Sequence, residues 1–346
     1  MTIVVKLGTT LIVGPGGRVR RSVLRERARE VAGIVAGGES VCIVTSGAIG
    51  LGWQRLGLPK RPTEVPKLQA ASALGQARLQ QAWDRAFAPH RVAAGQILLT
   101  AADVSDRAAY LHLRNAFEAI FKAGAVPVVN ENDATATDEI TFGDNDALAA
   151  QVAVLVQARL LILLTEVDGV YTRAPGTPGA ELLRDGASAL EAEIGAASSL
   201  GTGGMGSKIV AAQMAASAGI PTVIAGGVGK DVLLPILQGE PRGTHFRASN
   251  DEVPPFKLWL RFGKPASGRL IVDAGARTAL IEGGASLLAV GVVSVEGRFD
   301  AGDAVELVGP DGEVFAKGLA GADAQQIASR KRGLEAIHRD RLVLIG

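Results

Sequence analysis

Up to about residue 250 the chain alternates two textures. Short β-branched and aliphatic runs occur as TIVVKLG (2–8), SVCIVTSG (40–47), RVAAGQILLT (91–100), AVPVVNEND (125–133), RLLILLTEVDG (159–169) and IPTVIAGG (220–227). Between them lie longer Ala/Leu/Arg/Glu stretches, such as 22–37, 65–87 and 144–159. Strand-length runs alternating with helical ones predict βαβ units around a parallel sheet. Runs as continuous as LLILL predict strands covered on both faces. Around 240–260 the texture changes: GEPRGTHFRASNDEVPPF (239–256) reads as a linker. Beyond it KLWLRF, GRLIVDAG, LLAVGVVSVEG, DAVELVGPDG and EVFAKGLA predict short strands joined by turns, with ARTALIEGG the one helical piece. The predicted organisation is a main α/β domain at 1–250, a linker at 251–260 and a small, mostly β domain at 261–346.

Composition narrows the class. Apolar residues make up 47% and charged residues 21% of 346, as expected for packed domains rather than a disordered chain. A formal net charge of +1 calls for neither nucleic acid nor a membrane surface. The one cysteine, Cys42, lies in an apolar run and reads as a small core residue. MTIVVKLGTT reads as a first strand rather than a targeting signal, and no apolar run is long enough to span a bilayer, so a cytoplasmic location is expected.

The candidate chemistry sits at the ends of the predicted strands, where open α/β sheets bind ligands. Lys6 interrupts an apolar strand and is followed by Gly8 and two threonines. A buried lysine needs a partner, so it marks either an exposed strand edge or a cation aimed at phosphate. Ser46, Gly47 and Ala48 form a strand-to-helix turn without the G-x-S-x-G pattern of a hydrolase elbow. None of the four histidines (His90, His112, His245, His338) stands in a motif that would activate Ser46. The segment 130–150 is the most polar of the main domain. It carries Asn130, Asn132, Asp133, Asp144, Asn145 and Asp146, a set suited to holding an amine or supporting Mg²⁺ on phosphates, and one that also fits a solvated acidic loop. Thr165 and Glu166 end another strand, where a nucleotide fits as well as a plain charged turn. Zinc-type Cys/His spacing is absent.

GTGGMGSK (201–208) has the glycine spacing of a phosphate loop, but Ser207 precedes Lys208, reversing the Lys-Ser/Thr order, and no strand leads into it. It nevertheless opens a good helix, whose free N–H groups attract anions. Lys208 in that first turn opposes the helix dipole, and a phosphate partner would explain it. Two lysines, glycine turns and an acidic/amide loop together suit phosphoryl transfer, which needs positioning and charge neutralisation more than a covalent catalyst.

The motifs VVKLGTT, TSGAIGLG, VVNENDA, FGDNDALAA and GTGGMGSK, in this order, resemble those of the amino acid kinase family, in particular its glutamate-phosphorylating members. VDAGARTALIEGGASLL and VEGRFDAGDAVEL resemble the PUA domain that many bacterial members of that branch carry. The resemblance spans nearly the whole chain. It implies an open, mostly parallel sheet sandwiched by helices, plus a PUA-like domain. The implied reaction transfers the γ-phosphoryl group of ATP, with Mg²⁺, to the side-chain carboxylate of L-glutamate. The product is L-glutamyl 5-phosphate, in the first step of proline synthesis. By the same resemblance Lys6 and Lys208 are catalytic, and Ser46, Gly47, Ala48, Asp133 and Asn145 hold glutamate. Lys6, Gly8, Thr165, Glu166, Thr202, Gly203, Gly204, Met205, Gly206, Ser207 and Lys208 hold the nucleotide. Asn130, Asn132, Asp144 and Asp146 support the site. A homo-oligomer (dimer or tetramer) and feedback inhibition by proline are also implied.

Two departures stand out. Position 166 is Glu where the family often has Asp, and GLAGADAQQI lacks the expected Tyr-Ser-Ser texture in the PUA-like domain. Other readings stay open: a related kinase acting on carbamate, acetylglutamate, aspartate or uridylate; RNA binding through the PUA-like domain, whose clusters RFGKPASGR and ASRKRG are only modestly basic; and a member that binds glutamate or proline without transfer.

Overall fold

The computed structural model describes residues 1–100, 103–104, 107–135, 145–189, 204–249, 257, 260–261 and 266–345. Contacts divide the chain into two units, Met1–Glu252 and Val253–Gly346.

The first unit is built on a seven-stranded sheet. Its strands are β1 (Thr2–Leu7), β2 (Ser40–Thr45), β3 (Ala94–Leu99), β4 (Val126–Glu131), β5 (Leu160–Thr165), β6 (Thr222–Gly226) and β7 (Thr244–Phe246). The spatial order is β7-β6-β5-β1-β2-β4-β3. All pairings are parallel except that of β7 with β6. Each of the six apolar runs that predict strands is one. The edge strand β7 is not legible: it lies in the Pro/Gly-rich stretch that reads as linker. Antiparallel pairing to β6 and the buried Thr244, rather than local propensity, hold it.

The main helices are α1 (Arg21–Ala36), α2 (Ala48–Gly52), α3 (Val65–Phe87), α4 (Arg107–Lys122), α5 (Asn145–Leu155) and α6 (Met205–Ser217). Strand alternation decides which face each side chain joins. Ile3, Val5 and Leu7 share one core with Leu24 and Ala28 of α1 and Leu79, Trp83 and Phe87 of α3. Lys6 therefore points to the other face of β1, where α5 packs.

The chain runs outward from β1 through β2 to β3 and β4, then returns to place β5 on the other side of β1. That reversal opens a crevice at the carboxyl ends of β1 and β5. One helix crossing fixes its wall. A Cβ on Gly75 of α3 would stand 1.8 Å from the Ala48 carbonyl, and one on Gly52 of α2 1.9 Å from that of Ala71. Backbone meets backbone, so neither position tolerates a side chain. Gly75→Ala is expected to destabilise the protein by at least about 1–3 kcal/mol, read as a lower denaturant midpoint at unchanged m-value.

In the second unit β8 (Gly268–Val272), β9 (Val292–Gly297), β10 (Ala304–Val308), β11 (Val314–Leu319) and β12 (Leu342–Leu344) form a five-stranded sheet in the order β9-β8-β10-β11-β12. Two short helices accompany it, α7 (Ala274–Ile281), capped by Asp273, and α8 (Ala324–Ala328), closed by an Asp323/Gln326 capping box. Leu280 of α7 and Ile327 of α8 join Leu270, Leu307 and Ala316 in a separate core. KLWLRF does not become a strand at its described positions: Lys257, Leu260 and Arg261 are helical, and Leu260 is buried against Ala304 and Val343.

Candidate active site

At the end of β1, Lys6 is 4% exposed and donates from Nζ to Asp146 Oδ1 at 2.5 Å. Asp146 lies in the first turn of α5 and is itself 1% exposed. Its other oxygen, Oδ2, accepts from Lys208 Nζ at 3.1 Å and from Ser207 Oγ at 2.9 Å. Lys208 also reaches the Gly204 carbonyl at 3.4 Å, within the first turn of α6. One carboxylate thus gathers cations from two distant parts of the chain. Burial alone would raise the Asp146 pKa, but Lys6 and Lys208 outweigh it and hold the carboxyl below its usual range. Asp146 thus holds two ammonium groups beside the N-terminus of α6, whose free N–H groups favour anions. Gly8 adds to this. Its φ of −69° demands no glycine, yet an added Cβ would point into the space 4.0 Å from Lys6 Nζ, so the missing side chain keeps that approach open.

A second polar group lies at the ends of β2 and β4. Ser46 is 4% exposed and Ala48 1% exposed, and Gly47 turns the chain into α2 with φ of +109°, a conformation that requires glycine. Trp83 Nε1 donates to Thr45 Oγ1 at 3.2 Å and ties this turn to α3. Asn145, at the start of α5, accepts from the Glu131 amide at 3.1 Å through Oδ1, tying α5 to the end of β4. Asp133 is buried; its Oδ2 accepts from Ser72 Oγ at 2.7 Å, while Oδ1 has no partner among the described residues. Asn130 is buried too: its Nδ2 donates to Gln76 Oε1 at 2.7 Å and its Oδ1 is likewise unpartnered among those residues. Burial pushes the Asp133 carboxyl above its usual pKa, against the opposing pull of Ser72 and Arg61. Two buried acceptor oxygens without donors are costly unless a ligand supplies the hydrogens.

Lys6, Asp146, Ser207 and Lys208 are brought together, and so are Asn145 and the end of β4. Ser72 and Gln76 escape the sequence reading. They sit in a stretch that reads only as helix, and their signal is a polar pair at i, i+4 flanking Gly75 on the side of α3 that turns inward. Thr165 ends β5 half-buried, its carbonyl accepting from the Gly227 amide at 2.7 Å. Glu166 is exposed and pairs with Arg20 at 3.2 Å. Asn132 is half-buried, its amide donating to the Leu99 carbonyl at 2.8 Å. Gly204, Met205 and Gly206 form the N-cap and first two positions of α6. Asp144, Thr202 and Gly203 lie outside the described residues.

The profile of the amino acid kinase family matches residues 1–226, and that of the PUA domain residues 268–341. The chain belongs to the amino acid kinase family. Curated relatives in this family include proteins named glutamate 5-kinase from Methylobacillus flagellatus (41% identical), Geobacter sp. strain M21 (40%) and Burkholderia lata (42%). Each alignment covers 99% of this chain and 97% of the relative. Among solved structures, the UMP kinase of Bacillus anthracis superposes with a TM-score of 0.51 at 15% identity, over 72% of this chain and 96% of that one. An isopentenyl phosphate kinase gives 0.50 at 22%, over 71% and 100%. At those identities the likeness shows the amino acid kinase fold alone. Family membership makes the chain a kinase that uses ATP on a small carboxylate substrate. No helix among the described residues is long and apolar enough to cross a membrane.

Proposed function

We propose that this amino acid kinase converts ATP and L-glutamate to ADP and L-glutamyl 5-phosphate, the entry reaction of proline synthesis, in the cytoplasm. The observation that carries the choice of substrate is the pair of buried, unpartnered oxygens on Asn130 and Asp133. They call for a cationic donor, and the α-ammonium of an unmodified amino acid supplies one. An N-acylated substrate brings an amide in its place and leaves Asp133 uncompensated. The names and nearly full-length alignment of the curated relatives support the same reading.

In this reading Ser46, the Gly47–Ala48 amides and Asn145 hold the carboxylates of glutamate. The glutamate side-chain carboxylate is ionised near neutral pH, so its attack needs no general base. A carboxylate oxygen forms the new bond to the γ-phosphorus as the bond to the β–γ bridging oxygen breaks, and the electron pair departs with ADP. The barrier lies in bringing an anion to a polyphosphate, and Lys6, Lys208 and the α6 N-terminus lower it by neutralising the charge that builds on the γ-phosphoryl oxygens. Asp146 holds both lysines in place. Both its oxygens already accept hydrogen bonds, which suits it poorly as a metal ligand. Among the described residues no group of three His, Cys, Asp or Glu could hold a metal. By the family resemblance, Mg²⁺ arrives with the phosphates of ATP.

A substrate panel tests the specificity. ADP release is expected with L-glutamate and not with N-acetyl-L-glutamate or L-aspartate; preference for the acetylated compound would overturn the Asn130/Asp133 argument. Proline added to the same assay tests end-product inhibition, and light scattering tests the dimer or tetramer. Asp133→Asn is expected to raise KM for glutamate at least about 30-fold, the lower end of losing one partner of a buried charge pair. The pH dependence has a definite sign. Protonating Asp133 removes the counter-charge of the ammonium, so glutamate affinity falls as pH drops through a pKa raised above the ordinary carboxylate value. A KM–pH profile shows that limb in the wild type, and Asp133→Asn flattens it.

A further inference from the structure

Helices α1 and α3 of the first unit flank an open surface cavity of about 330 Å³, within the size range of small-ligand pockets, roughly 300–1,000 Å³. Val19, Leu24, Ala82 and Ala86 contribute apolar surface, and Gln81 lines it beside four arginines: Arg21 and Arg25 from α1, Arg78 and Arg85 from α3. The cavity lies on the Ile3/Val5/Leu7 face of the sheet, whereas Lys6 and α5 are on the other. None of the residues assigned above to glutamate or nucleotide lines it.

The arginines are placed against their own electrostatic interest. Arg21 and Arg25 are i, i+4 neighbours, where like charges repel. Arg21 opens α1, a helix with no acidic residue in its first turn, and a cation there opposes the dipole. The nearby carboxylates are already engaged: Glu26 with Arg29 at 3.2 Å, Glu30 with Arg27 at 2.8 Å, and Asp84 with Gln80 at 3.1 Å. Among the described residues none of the four lining arginines forms an ion pair. Two are instead held by backbone: Arg78 donates to the Leu51 carbonyl at 2.8 Å and Arg25 to that of Arg21 at 3.4 Å. Four exposed guanidinium groups around one concave site, none in an ion pair among the described residues, concentrate positive charge there. Guanidinium forks match phosphate and carboxylate oxygens in pairs.

We propose that this cavity binds a compact multivalent anion, a small molecule bearing two or more phosphate or carboxylate groups. The site is separate from the kinase centre, and the inference does not depend on which substrate that centre takes. An anion there offsets the repulsion along α1, meets the positive end of its dipole and satisfies guanidinium groups drawn from both helices.

The test is calorimetric titration of the full chain with inorganic pyrophosphate and, separately, citrate, at constant ionic strength. Three proteins are compared: wild type, Arg25→Gln/Arg85→Gln and Lys208→Ala. Both arginines are exposed, so the double variant is expected to fold, and its thermal unfolding checks this. The expected result is saturable binding of at least one anion by the wild type, weakened at least about tenfold in the double variant and retained in Lys208→Ala. Tighter pyrophosphate binding assigns the site to phosphate compounds, and tighter citrate binding to polycarboxylates. No saturable binding of either anion, equal binding by the double variant, or binding lost only in Lys208→Ala would overturn the proposal.

Discussion

Replacing Lys208 by alanine is expected to lower kcat by roughly 10²–10³-fold, the usual cost of deleting one charged donor aimed at the transition state. The change in KM for glutamate should be much smaller, because the glutamate groups lie at the ends of β2 and β4 rather than at α6. Lys208 is buried at 6% exposure in the first turn of α6, where the dipole disfavours a cation. Asp146 offsets part of that cost in the free protein, and in the proposed reaction the γ-phosphoryl group meets the lysine during transfer. Steady-state kinetics with ATP and glutamate varied in turn separate the two parameters. A proportionate rise in KM with little change in kcat would instead make Lys208 a residue of ground-state binding.

The second large effect belongs to Asp146. Asp146→Asn keeps the shape of the side chain but removes the charge that Lys6 and Lys208 share. Leaving buried cations without their counter-charge should cost about 3–5 kcal/mol, measurable in urea. The sign with pH is fixed. The carboxyl is held below its ordinary pKa, so its contribution is fully present above the unfolded value of about 3.9 and is lost as pH falls through the lower folded value. Wild type and variant therefore differ most near neutrality and converge in strong acid. ATP offers the lysines a replacement anion, so it should raise the melting temperature of the variant more than that of the wild type. Equal stability of the two proteins at neutral pH would remove Asp146 from the centre of the site.

The central strands of the main sheet were legible because they are covered on both faces and so read as nearly unbroken apolar runs. Lys6 was the informative exception: a single cation in such a run must have a buried partner if the strand is central, and β1 is central. The identity of that partner was less legible. Asp146 stood among several carboxylates and amides between 130 and 150, and only the packing of α5 on β1 distinguishes it. Ser72 and Gln76 were hidden for a different reason. Their helix is long and amphipathic, and nothing local says that its polar residues turn toward Asp133 and Asn130. Thr244–Phe246 shows the reverse failure, where pairing with β6 overrides a composition that reads as linker. Glu166 stands exposed after its strand as its position suggests, and its side chain pairs with Arg20.

The most direct test of the proposed chemistry traps its product. The full-length chain is incubated with ATP, Mg²⁺, L-glutamate and hydroxylamine, and glutamyl hydroxamate and ADP are measured together. The account predicts hydroxamate formation that requires both ATP and L-glutamate and matches ADP one to one. ADP release without hydroxamate, or no dependence on glutamate, would contradict it.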